Sequence, residues 1–177
     1  SNALAAMAAA TWAGVGREII QVALAEFAGP ARRFQLLGER KGTIVIDDYG
    51  HHPTEIQATL RAARERYPER KIWCVFQPHQ HSRTKIFLKE FAKSFGDANL
   101  VLLPEIFAAR DSEADARRVS SGDLAKLLDE GGKAALFLPT FDEVVAFLKD
   151  KAPADGVVLT MGAGNVHEIA RRFLSSP

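Results

Sequence analysis

Thr43-Ile44-Val45-Ile46-Asp47-Asp48-Tyr49-Gly50-His51-His52-Pro53-Thr54-Glu55 is the stretch that decides the fold. A β-branched run, Thr43 to Ile46, stops at two adjacent carboxylates. A phenol, a glycine and two imidazoles follow, and Pro53 then opens a helical pattern. A strand that becomes a helix through polar residues is the repeating unit of an open α/β sheet. Such sheets bind ligands outside the carboxyl ends of their strands.

Working outward, the alternation continues. Helix Pro53–Arg66 leads to strand Ile72–Phe76, and helix Arg83–Phe95 to strand Leu100–Leu103. Helix Ser121–Leu128 leads to strand Ala134–Leu138, helix Phe141–Leu148 to strand Gly156–Met161, and a last helix runs from about Ala163 to Leu174. Upstream, Arg32–Leu37 reads as a strand joined to Thr43–Ile46 by the hairpin-type link Gly38-Glu39-Arg40-Lys41-Gly42. The strands are short, apolar and mostly without alternation, as strands covered on both faces are. The expected architecture is a Rossmann-like, three-layer α/β domain. Its six-stranded sheet is mostly parallel, with one antiparallel edge strand.

Residues 4–29 break this pattern. Leu4 to Trp12 is Ala-rich, and Arg17 to Phe27 carries a helical apolar stripe ended by Gly29-Pro30. Two apolar helices ahead of any strand read as the tail of another domain. Ser1-Asn2-Ala3 reads as a tag remnant. The third segment, 30–177, is the α/β domain.

Composition narrows the function classes. The chain has 177 residues, 47% of them hydrophobic and 25% charged, so it can bury a core without disulfides. A net charge of +1 gives no strong pull toward nucleic acid or anionic membrane. Its single cysteine, Cys74, suits a reducing cytoplasm, the expected location, and its mid-strand place makes it core. No apolar stretch reaches the ~20 residues of a membrane span.

The chemistry lies in three strand-end loops. Asp48 and His51 are metal-ligand types, but His51 and His52 are adjacent and no thiolate set accompanies them, so no metal is expected. Pro53, Thr54 and Glu55 are explained by helix initiation; Asp48, Tyr49 and His51 are not. In Gln77-Pro78-His79-Gln80-His81-Ser82-Arg83-Thr84, Ser82 reads as a helix cap. Arg83, a cation near a helix start, opposes the dipole and so suits an anionic ligand. Gly162-Ala163-Gly164 between strand and helix exposes N–H groups that can hold an anion, although tight packing explains it about as well. No P-loop pattern occurs, and Arg32-Arg33 reads as a solvated pair on an edge strand.

Asp47–Glu55, Phe76-Gln77-Pro78-His79 with Ser82-Arg83-Thr84, Phe27-x-Gly29-x-x-Arg32-Arg33-Phe34 and Met161–Asn165 together resemble the C-terminal part of the Mur ligases. The resemblance covers essentially the whole chain, and the Asp47–Glu55 motif is its most specific part. It implies an ATP-dependent amide-bond-forming ligase of peptidoglycan biosynthesis, and best matches the member that joins L-alanine to UDP-N-acetylmuramate. The murein tripeptide ligase is the related alternative, and a non-catalytic nucleotide- or anion-binding module is the alternative of another class.

In that family an N-terminal domain holds the UDP-sugar and a central domain holds ATP and Mg2+. The C-terminal domain closes over both. The resemblance therefore implies that 4–29 ends the central domain, and that the N-terminal domain and most of the central one are missing partners. It further implies that the isolated chain is inactive, without a tightly bound cofactor. By resemblance Arg33, Asp48, Tyr49 and His51 face the nucleotide, with Tyr49 near the adenine. His79, Arg83, Gly162 and Ala163 face the substrate, with Arg83 on the amino acid's carboxylate. No catalytic residue is implied. Gln80 and His81 depart from the Arg that often follows the family's Gln-Pro-His, which weakens the case for a second cation in that loop.

Overall fold

The structure is a computed structural model describing residues 2–27 and 29–175. Ser1 of the expected tag remnant, Ala28 of the expected domain tail and the last two residues of 30–177 lie outside the described residues. The chain forms two compact units, Ser1–Ala31 and Arg32–Pro177.

The first unit is a pair of helices, α1 (Asn2–Trp12) and α2 (Arg17–Glu26). Gly14, at φ 80°, ends α1: Gly14 N–H donates to Thr11 O and Val15 N–H to Ala10 O. This left-handed closure is one that glycine adopts without strain. Ile20 is buried, while Leu4, Trp12, Ile19 and Val22 lie exposed.

In the second unit β1 (Gln35–Arg40) and β2 (Thr43–Asp48) form an antiparallel hairpin, and α3 (Pro53–Arg66) leads to β3 (Ile72–Phe76). Two short helices, α4 (His81–Ile86) and α5 (Leu88–Ala92), precede β4 (Leu100–Leu103). Then come α6 (Glu113–Ala116), α7 (Ser121–Glu130), β5 (Ala135–Phe137), α8 (Phe141–Lys151), β6 (Val157–Met161) and α9 (His167–Ser175). The six strands lie in the order β1-β2-β6-β3-β4-β5, all parallel except β1. No helix among the described residues is long and apolar enough to cross a membrane.

The strands are apolar on both sides because both sides are covered. Ile46, Cys74, Phe76, Leu103 and Leu159 pack in one cluster with Ile56 and Leu60 of α3, Phe91 of α5 and Leu124 of α7. Val45, Val75, Leu102 and Val158 point the other way, onto Val144 and Leu148 of α8 and Ile169 and Phe173 of α9. The alternation Val45/Ile46 thus divides one strand between two helical layers.

Four local expectations are corrected. β1 spans Gln35–Arg40 instead of Arg32–Leu37, and the link to β2 is only Lys41-Gly42. Both link residues have positive φ, 48° and 83°, as a tight hairpin turn that matches strand twist requires. Gly38 is not part of the turn; it marks a register shift within β1. The single helix expected over Arg83–Phe95 is broken at Phe87 into α4 and α5. The last helix begins at His167, four residues after the expected Ala163, leaving Gly162–Val166 as an open loop. The short α6 has no counterpart in the sequence reading.

Candidate functional site at the carboxyl ends of three strands

The chain runs β2, β3, β4, β5 outward and then returns to lay β6 between β2 and β3. Met161 of β6 is in register with Asp48 of β2 and with Phe76 of β3, so the three strands end level. The loops after them stand side by side, with the β6 loop in the middle. This reversal of strand order is where open α/β sheets form a ligand crevice.

At the end of β2, Asp48 is buried and holds the following loop in place. Its Oδ1 accepts from Gly50 N–H at 2.7 Å and its Oδ2 from Phe34 N–H at 2.8 Å. A Cβ on Gly50 would lie 2.8 Å from that same Oδ1, so the tight turn needs glycine. Glu55 Oε2 accepts from both His51 N–H, 2.9 Å, and His52 N–H, 3.0 Å. Burial works to raise the Glu55 pKa, but these donors, with the charges of His51 and Arg33, together outweigh it and lower it. The His51 ring lies 3.0 Å, through Nδ1, from Tyr49 O. The Tyr49 ring stays partly open, with the Arg32 and Arg33 guanidinium carbons 5.0 and 5.7 Å from its centre. Arg33 itself is exposed.

The loop after β3 meets it. The His51 and His79 rings are edge to face at 6.2 Å, and His79 stacks on Phe107 at 5.5 Å. Phe107 is fixed by pairing with this loop: Phe107 N–H donates to Pro78 O, and Gln80 N–H to Phe107 O. Burial, then the charges of His51 and Arg83, push the His79 pKa below its ordinary value, while Asp111 opposes them. Arg83 is half-buried and has no carboxylate partner among the described residues. Its dipole rationale is corrected, because α4 is only six residues long and Arg83 lies within a turn of both ends.

Ser82 is not the cap. Gln80, at φ 66°, precedes the helix, and the carboxylate of Asp111 from a distant loop takes the first N–H groups. Asp111 accepts from His81 N–H and, at 2.9 Å, from the Ser82 hydroxyl. Its burial works to raise its pKa, and these hydrogen bonds together lower it. Phe107 and Asp111 are residues at this loop that the sequence reading does not place in the site. They lie in a stretch without hydrophobic period, and only the topology brings them to the β3 loop.

The β6 loop passes over Gln77. A Cβ on Gly162, at φ 146°, would sit 2.7 Å from Gln77 O, and one on Gly164 would sit 2.6 Å from Gln77 Oε1 and 2.8 Å from the Phe107 ring. Both glycines are therefore required by close approach. Gln77 Oε1 is buried and accepts no hydrogen bond among the described residues. Ala163, between them, is half-buried.

Arg32 holds this loop from the other side, which overturns its reading as a solvated edge residue. Its Nε donates to Asp47 Oδ2 at 2.8 Å, Nη2 to Gly162 O at 2.6 Å and Nη1 to Gly164 O at 3.1 Å. Asp47 is itself buried, and its Oδ1 accepts from the Thr160 hydroxyl at 2.7 Å. Cys74 is buried in the sheet, and burial pushes its thiol pKa up, away from nucleophilic use. No group of three or more metal-ligand side chains occurs among the described residues.

A doubly wound sheet with this strand order, and three polar loops at its reversal point, defines a ligand-binding type of α/β domain. Residues 32–164 match the family model for the Mur ligase, glutamate ligase domain, and the chain belongs to that family. It is 48% identical over 174 residues to a UDP-N-acetylmuramate–L-alanine ligase of Alkaliphilus metalliredigens, covering 98% of this chain and 37% of that protein. The solved UDP-N-acetylmuramate–alanine ligase MurC of Thermotoga maritima superposes with a TM-score of 0.80 at 30% identity, covering 98% of this chain and 36% of that one. A murein peptide ligase from Psychrobacter arcticus gives 0.69 at 28% identity, covering 98% and 35%. The chain thus spans little more than a third of the length of the relatives it matches.

Proposed function

We propose that this chain is the C-terminal portion of an ATP-dependent ligase that adds L-alanine to UDP-N-acetylmuramate in the cytoplasm. In this reading residues 4–29 close a central ATP-binding domain, and 30–177 form the domain that shuts over nucleotide and amino acid. The observation that carries it is the contact of His51 with His79, which joins the β2 and β3 loops into one crevice floor. The similarity to named alanine-adding ligases, at 48% identity in one case, supports the substrate.

The residue types fit the ligands. Tyr49 offers a partly open ring for stacking on a base, and exposed Arg33 beside it offers charge for phosphates. ATP, with Mg2+, supplies the activating phosphoryl group when bound. Asp48 and His51 serve the nucleotide side by shaping its loop. His79, kept neutral, and Arg83, without a carboxylate of its own, serve the amino-acid side. A guanidinium in that state pairs bidentately with an incoming carboxylate. The N–H of Ala163, next to Gly162, adds a donor for the same ligand. The exposed Leu4, Trp12, Ile19 and Val22 are covered by the remainder of the central domain, so the isolated chain has neither ligase activity nor tight ATP binding.

The test is Arg83→Ala in the full-length ligase. The reading expects KM for L-alanine to rise about tenfold or more, the loss of one charge-assisted pair, with KM for the UDP-sugar unchanged. An unchanged KM for L-alanine rules out the carboxylate role.

A further inference from the structure

Arg32 stands outside the residues assigned to nucleotide or substrate, yet it touches both loops. One guanidinium donates to Gly162 O and Gly164 O, lies 5.0 Å from the Tyr49 ring centre and is held by buried Asp47. Its own backbone carbonyl accepts from Tyr49 N–H at 2.7 Å. A φ of 57° at Arg32 lets main chain and side chain serve these two loops at once. Its amide, in turn, donates to Gln35 Oε1 at 2.9 Å, fixing the residue from the β1 side.

The peptide plane gives this a consequence. In a trans peptide the N–H of the next residue points opposite to the carbonyl. Drawing in the carbonyls of Gly162 and Gly164 therefore turns the N–H groups of Ala163 and Asn165 away from Arg32. Neither of these N–H groups donates to an acceptor among the described residues. A planar fork holds two carbonyls and a carboxylate in fixed directions, whereas the three donors of an ammonium share one nitrogen on a flexible stem and set no such directions.

We propose that Arg32 is a positioning residue that sets the β2 loop against the β6 loop, fixing Tyr49 relative to the outward N–H groups of Ala163 and Asn165. The proposal rests on the ligase reading for what those two loops hold. Asp47 and Thr160 act behind it, keeping the guanidinium in one orientation.

The test has two arms, using Arg32→Lys and, should that chain fail to fold, Asp47→Asn, which keeps the side-chain shape. In the first arm, amide resonances of this chain are compared with the wild type without any ligand. The expected result is a joint displacement of the Tyr49, Ala163 and Asn165 signals, with β4 signals unmoved. In the second arm, the full-length ligase is expected to show KM for both ATP and L-alanine raised about tenfold, as one lost charge-assisted hydrogen bond allows, with kcat less affected. Lower thermal stability with unmoved loop signals, or with both KM values unchanged, overturns the proposal. A wild-type ligase that does not use L-alanine refutes the functional reading instead, and the amide arm then still decides the positioning role.

Discussion

Arg32 and Asp47 form a nearly closed ion pair, Nε to Oδ2 at 2.8 Å, in which the carboxylate is 1% exposed. A buried carboxylate of this kind is stable only while its partners remain. Asp47→Ala removes the acceptor of both Arg32 and Thr160. Urea unfolding of the chain should show a loss of about 3 kcal/mol, the lower range for breaking a buried pair. A change within experimental error would mean that the pair contributes no net stability.

Gly164→Ala tests the packing of the β6 loop. The new methyl would meet Gln77 Oε1 at 2.6 Å and the Phe107 ring at 2.8 Å. The expected cost is about 1–3 kcal/mol of overpacking, with the sheet intact and the loop displaced. Ligation by the full-length enzyme should fall with it. Normal activity and an unmoved loop in the variant's crystal structure would contradict the close approach.

His79 gives a pH signature. Burial and the charges of His51 and Arg83 hold its pKa below the ordinary 6.5, so proton binding favours the unfolded chain as pH falls. Its contribution to stability is complete above pH 6.5 and declines as pH drops below that value toward the folded pKa. A ring-proton titration should place His79 under 6.5, and Arg83→Ala should move it upward. A value at or above 6.5 in the wild type would contradict the described environment.

Asp111 runs the other way. Its pKa is lowered from 3.8, so its contribution is present above that value and is lost as pH falls through the folded one. Asp111→Ala leaves the first N–H groups of α4 without their carboxylate. Hydrogen exchange of the His81 and Ser82 amides should quicken by about tenfold, as loss of a helix cap worth ~1 kcal/mol or more implies. Unchanged exchange would show that the cap is dispensable.

The sheet was legible because burial on both faces writes apolar runs such as Ile44-Val45-Ile46 and Val157-Val158-Leu159, and because helices of ten or more residues show their period. The β2 loop was legible because five polar or aromatic side chains crowd between the apolar run and Pro53, more than a covered strand holds. What was missed is non-local. Asp111 reaches α4 across 30 residues of sequence and Arg32 reaches Gly162 across 130, and no local pattern records such meetings. Gly38 and Ala163 were misplaced for a different reason: glycine in a strand register shift looks like a turn, and an Ala between glycines looks like a helix start.

The most direct measurement of the central claim is phosphate release by the full-length ligase carrying this domain. UDP-N-acetylmuramate and ATP are supplied with either L-alanine or murein tripeptide as acceptor. Turnover with L-alanine is expected, with KM for L-alanine raised on Arg83→Ala. Turnover with the tripeptide alone, or with neither acceptor, would contradict it.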